Sequence, residues 1–195
     1  MNELTKNFGV SFLKFHKPYL TGDESFYVNQ AIQNNKLEGP GFFTKECEKL
    51  LEKKFKTKKA ILTPSATSAL EMAIMLLKLE PNDEIILPSY AFPSCATAIL
   101  HQKCIPVFVD VEKETLNVDY KKVQVAITKR TKAFLIIHYA GVISNNIKEL
   151  KELAKKNNLA IIEDAAQAIH SSFLKDNAGN IGDFGIFSFH QTKNI

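Results

Sequence analysis

Apolar residues fall in short blocks along this chain, and two periodicities alternate from block to block. Runs rich in Ile, Leu, Val and Phe at 60–62, 84–87, 105–109, 133–137 and 160–162 predict short buried strands. Between them, helical spacing predicts helices at 69–79, from Pro93 onward, at 119–127 and at 147–157. Upstream, 23–32 has helical character that gives out in the polar run 33–36, and 37–41 reads as a loop. Phe43, Cys47, Leu50, Leu51 and Phe55 then share one face of a helix expected to start near Thr44. Ser68 and Glu71 have the spacing of a capping box, which marks the start of the helix that follows. Pro93 stands where proline favours a first helical turn. Residues 177–182 turn the chain into a last strand, the aromatic run FGIFSF that begins at Phe184. Strand and helix in regular alternation predict an α/β fold with a mostly parallel sheet and helices on both faces.

Composition narrows the class without changing that picture. The 195 residues suffice for one continuous core, and 45% apolar with 24% charged residues is ordinary for a globular protein. The net charge of +4 is small, and the basic run 53–59 lacks the Arg and aromatic platform that nucleic acid would call for. Cys47, Cys95 and Cys104 have neither metal spacing nor an even count, so no metal site and no disulfide framework is expected. No apolar run is long enough to span a bilayer, and a cytoplasmic location is expected.

Candidate chemistry gathers where strands end. The run TPSATS at 63–68 joins a strand to a helix, and free N–H groups at such a helix start suit a phosphate, with Thr67 and Ser68 adding hydroxyls. Ser68 acting only as a helix cap is the plainer alternative. Asp164 follows a buried strand and precedes two alanines, so its carboxylate needs a cationic or hydrogen-bonding partner; a protonated pyridine nitrogen or the start of the next helix would serve. Phe92, at another strand exit, either covers a flat ring or joins the core. His138 and His190 lie near strand ends and are read as structural or as supporting residues behind the site. Lys193 follows the last strand, at the edge where α/β sheets bind ligands, and its amine becomes a nucleophile if its pKa is lowered; an ordinary surface lysine is the plainer alternative. A lysine and an acid facing one cofactor point to pyridoxal 5'-phosphate.

The order of these signals resembles a known family. TPSATSALE from Thr63, PSYAF from Pro88, HYAG from His138, EDAAQ from Glu163 and FSFHQTKN from Phe187 resemble the sugar-nucleotide aminotransferases of the DegT/DnrJ/EryC/StrS type. The wording is most similar to the dTDP-4-amino-4,6-dideoxygalactose transaminase branch, which serves enterobacterial common antigen synthesis. The resemblance runs from about Lys36 to the last residue, so 1–35 is expected to be an N-terminal segment and 36–195 part of the cofactor-binding large domain.

It implies an aspartate-aminotransferase (type I) fold and pyridoxal phosphate as cofactor. In the implied roles Lys193 links the cofactor covalently and moves protons, and Asp164 pairs with the ring nitrogen. Gln167 lies near the ring hydroxyl, Thr67, Ser68 and Ser188 hold the phosphate, and Phe92 stacks on the ring. Glutamate would give its amine, and the 4-keto carbon of a dTDP-4-keto-6-deoxyhexose would receive it, in a homodimer or with a separately made second half. Related dehydratases carry histidine at the lysine position, so Lys193 argues for aminotransfer. Family members usually have glycine where this chain has Asp176, and they continue past the lysine into more of the large domain and a small domain. A non-catalytic remnant is therefore the alternative expectation.

Overall fold

The computed structural model describes residues 18–35 and 37–193. The expected domain boundary at Lys36, residues 1–17 of the N-terminal segment, and Asn194 of the terminal motif lie outside the described residues. Helices α1 (Glu24–Gln33), α2 (Phe42–Phe55) and α3 (Ala66–Leu76) come first. Strands and helices then alternate: β1 (Glu84–Pro88), α4 (Pro93–His101), β2 (Ile105–Val109), α5 (Tyr120–Ala126), β3 (Thr131–Ile137), α6 (Ile147–Asn157) and β4 (Ala160–Asp164). A small antiparallel pair, β5 (Ser172–Phe173) with β6 (Asp176–Asn177), precedes β7 (Phe184–Ile186).

Among the described residues, five strands form one parallel sheet in the order β2-β1-β3-β4-β7. Alternation along the strands divides the core between two faces. Ile86, Phe134 and Ile136 meet Ile147, Leu150 and Val123 of α6 and α5 on one side. Ile85, Leu87, Leu135, Ile162 and Ile186 meet Leu70, Ile74 and Ile99 of α3 and α4 on the other. Each central strand is apolar on both faces because helices cover both, which is why these segments read as continuous apolar runs.

Several expectations are corrected. Residues 60–62 form no strand: Ala60 N and Leu62 N donate instead to Glu52 Oε1 at 3.2 Å and Glu48 Oε1 at 3.1 Å of α2, so helix carboxylates take donors that a sheet would use. Helix α2 starts at Phe42, and of its expected apolar face only Phe55 is buried, while Leu50 is 63% exposed. Helix α3 starts three residues before the predicted position. Its cap is Ser65, extended at φ −157, whose hydroxyl accepts from Ser68 N at 3.1 Å. Ser68 is thus helical, and Glu71 meets His101 Nδ1 at 3.0 Å instead of closing a capping box. The last strand is short as well: three residues pair with β4, and the chain coils immediately afterwards.

Glu84 opens β1 at 3% exposure, and its carboxylate accepts from Arg130 Nη2 at 2.7 Å, Arg130 Nε at 2.9 Å and the Thr128 hydroxyl. The Thr128 hydrogen bond first, then Arg130, hold its pKa below the ordinary 4.5 against the opposing effect of burial. A lowered folded-state pKa adds stability that is complete above 4.5 and is lost as pH falls through the lower value. Glu84→Gln should therefore cost about 1–3 kcal/mol at neutral pH and flatten the acid limb of a stability–pH curve, read by urea melts from pH 7 downward.

Candidate active site

The sequence-predicted residues collect at the C-terminal edge of the sheet and at the start of α3. Asp164 is the last residue of β4 and is 8% exposed. Its Oδ1 accepts from Ala166 N at 3.0 Å, its Oδ2 accepts from the Cys95 thiol at 3.3 Å, and its carbonyl accepts from His138 N at 3.1 Å. No cation neutralises this carboxylate among the described residues, so hydrogen bonds alone hold it.

Gln167 is exposed just beyond, and its Oε1 accepts from Ala140 N at 2.8 Å. That bond fixes the turn Tyr139–Gly141, in which Ala140 takes a left-handed φ of 51. Across the turn, the hydroxyls of Tyr139 and Tyr90 lie 3.3 Å apart. Phe92 stands at the N-cap of α4, after β1, and at 72% exposure it belongs to the surface and not to the core. Pro93 occupies the first helical turn, as its residue type predicts.

Thr67 and Ser68 are half-buried in the first turn of α3, with the Ser65 hydroxyl 3.1 Å from that of Ser68. The start of α3 at Ser65 and Ala66 shares a groove of about 960 Å³ with Ser188, Phe189 and His190, the residues that follow β7. Segment 188–193 is coiled by local bonds: His190 N donates to Ser188 Oγ at 3.3 Å, Thr192 N to His190 Nδ1 at 3.3 Å, and Lys193 N to His190 O at 2.8 Å. Lys193 is half-buried at the end of this turn. The structure joins Asp164 to the helix that begins beside Phe92, and Ser188 to the start of α3. It records no contact of Lys193 with Asp164 or Gln167 among the described residues.

Beneath this edge lies an acid, Glu163, to which its sequence position suggested no role. Glu163 and His138 are both fully buried, and His138 Nε2 donates to Glu163 Oε2 at 2.8 Å. The same carboxylate accepts from Gly179 N at 2.9 Å, Ile181 N at 2.6 Å and Gly182 N at 2.7 Å. One acid thereby binds the loop that leads into β7. The available signal was an acid inside an otherwise apolar strand, which requires buried partners. His138, whose position left a purely structural role and a supporting one behind the site both open, is engaged by Glu163 through Nε2. Cys95, missed as a partner of Asp164, is fully buried.

Such an edge fits a flat, phosphorylated heterocycle with a protonated ring nitrogen. It offers a poorly hydrated carboxylate, an exposed aromatic ring, hydroxyls at a capped helix start and a lysine amine. None of the described residues form a His, Cys, Asp and Glu cluster suited to a metal, and none of the described helices is long and apolar enough to cross a membrane.

The chain as a whole is similar to several known proteins. GDP-perosamine synthase of Caulobacter vibrioides is 34% identical over 178 residues, 91% of this chain and 48% of that protein. Spore coat polysaccharide biosynthesis protein SpsC of Bacillus subtilis is 33% identical over 185 residues, 94% of this chain and 47% of its own length. The PMP form of Spr1654 from Streptococcus pneumoniae, described as a sugar aminotransferase, superposes with a TM-score of 0.87 at 30% identity, over 95% of this chain and 50% of that one. A PLP form of the same protein is also similar, at a TM-score of 0.86. The chain thus spans about half the length of the relatives it matches. The profile of the DegT/DnrJ/EryC1/StrS aminotransferase family covers residues 18–195, so the likeness reaches well upstream of Lys36. With the family's profile matched from residue 18 to 195, and the parallel sheet and its helices superposing on Spr1654 over nearly the whole chain, this protein belongs to the DegT/DnrJ/EryC1/StrS aminotransferase family.

Proposed function

We propose that the chain forms the cofactor-binding part of a pyridoxal-phosphate-dependent sugar-nucleotide aminotransferase, with residues 36–195 belonging to the large domain. The observation that carries the reading is Asp164, a carboxylate at the sheet's ligand edge, 8% exposed and held without a cation from the described residues. Such a group keeps a ring nitrogen protonated. Pyridoxal phosphate, when bound, supplies a sink for the electron pair left at a carbon that loses its proton.

The chain's own residues do the rest. Asp164 holds the proton on the ring nitrogen, and Gln167 orients the ring through its hydroxyl. Thr67, Ser68 and Ser188 bind the phosphate, helped by the N-terminal dipole of α3. Phe92 covers the ring and excludes water from one face. Lys193 would hold the cofactor through Nζ, and its amine would accept and return a proton at the reacting carbon.

Glutamate is the proposed donor, and the 4-keto carbon of a dTDP-linked 4-keto-6-deoxyhexose the acceptor. The similarity to GDP-perosamine synthases supports a GDP-linked keto sugar as second reading. Lysine at position 193 favours aminotransfer over dehydration. The working form is proposed to be a cytoplasmic homodimer.

The test uses the full chain with pyridoxal phosphate, fixed by borohydride reduction and mapped by mass spectrometry. One cofactor on Lys193, none on Lys193→Ala, and production of 2-oxoglutarate when glutamate is added before reduction are the expected results. A folded chain that carries the cofactor elsewhere, or not at all, would sink the reading. Supplying dTDP-linked and GDP-linked keto sugars in parallel then decides the nucleotide.

A further inference from the structure

The geometry points to Cys95 as a positioning residue for Asp164: its thiol donates to Oδ2 and holds the carboxylate in one orientation at the sheet edge. This inference rests on the proposed pairing of Asp164 with a ring nitrogen.

A carboxylate on a short side chain turns readily, because its last torsion is broad and roughly two-fold. Ala166 N anchors Oδ1 at 3.0 Å but leaves the other oxygen free to swing about that contact. The thiol 3.3 Å from Oδ2 supplies the second point. Two donors on different oxygens fix the plane of the group; one does not.

The sulfur is itself well placed to do this. Cys95 lies in the first turn of α4, and its backbone N donates to Phe92 O at 2.9 Å. Its side chain is fully enclosed in the core cluster that contains Leu87, Ile99 and Ile162. A helix start ordinarily favours the thiolate. Here burial first, and the Asp164 charge second, keep the thiol protonated far above its usual range, so it remains a donor. A buried cysteine is usually a small apolar filler. What separates this one from a filler is a charged acceptor within hydrogen-bonding distance. The contact also couples β4 to the helix that begins beside Phe92, so it sets the carboxylate relative to the aromatic ring proposed to cover the same cofactor.

Two readouts test the role. The first needs no cofactor: in the infrared difference between the wild-type chain and Asp164→Ala, the Cys95 S–H stretch should lie at lower frequency in the wild type. The second is the dissociation constant for pyridoxal phosphate, from titration of the cofactor's absorbance. Cys95→Ala should weaken binding roughly fivefold, the loss of about one modest hydrogen bond. Cys95→Ser, which keeps a donor, should stay within about twofold of wild type, and Cys95→Ala should add nothing to Asp164→Ala.

Equal weakening by serine and alanine, or the same loss in the Asp164→Ala background, would overturn the proposal in favour of packing. So would an S–H band that does not move, a result that stands even if Cys95→Ala fails to fold. If Asp164→Ala binds the cofactor as wild type does, or wild type binds none, the ring-nitrogen assignment fails and the positioning role falls with it. A shifted band would then show that the contact survives while the functional reading does not.

Discussion

Glu163→Ala is expected to be among the most damaging single substitutions in the chain, costing about 4 kcal/mol of folding stability. The carboxylate, itself fully buried, receives three backbone N–H groups, from Gly179, Ile181 and Gly182, and the buried imidazole of His138. Alanine would leave four donors without an acceptor and open a void beside a fully buried ring. Glu163→Gln keeps a single carbonyl acceptor and turns the other end into a donor that faces donors, so it should lose roughly half as much. Urea unfolding of the two variants measures the difference. A loss below about 1 kcal/mol for alanine would mean that the loop does not depend on this acid.

Gly185→Ala should be similarly severe, at about 3 kcal/mol or more. A Cβ at this position would fall inside the van der Waals radius of the Gly179 carbonyl, and Gly179 cannot retreat. It has a left-handed φ of 80, is tied to Glu163 through its N–H, and its own missing Cβ makes room for the Phe187 ring. The clash is with backbone, not with a flexible side chain, so relief requires β7 to shift away from the loop. Because β7 leads directly to Ser188 and Lys193, the same substitution should reduce cofactor uptake in proportion to unfolding. Thermal melts with and without pyridoxal phosphate separate the two losses.

These two residues also show where sequence reasoning succeeds and where it stops. The central strands were legible because Ile85 to Leu87 and Phe134 to Ile136 are apolar on both faces, and only a doubly covered sheet calls for that. Asp164 and Lys193 stood out for a comparable reason: a charge at the end of an apolar run needs an explanation. The start of α3 was misread because Ser65 and Ser68 are both competent caps, and a serine with a glutamate three residues on outweighed the one that takes the extended backbone. Residues 60–62 have strand composition, but pairing is a property of neighbours, and here α2 carboxylates supply the partners. Cys95 and Glu163 were silent because their roles depend on residues far along the chain, Asp164 in one case and the 179–182 loop in the other. Spacing within a segment carries no trace of such contacts.

The order of the strands has a dynamic consequence. β3 sits inside the sheet, flanked along its length by β1 and β4, whereas β7 offers three residues to one neighbour. The free energy needed to open the backbone locally therefore rises from β7 inward. Amide exchange would record this as weak protection beside the lysine and strong protection at the centre. Among the described strands, the proposed acid lies on one paired on both sides and the proposed amine follows one paired on one side, so a ligand that bridges the two would be expected to slow exchange most in the segment after β7.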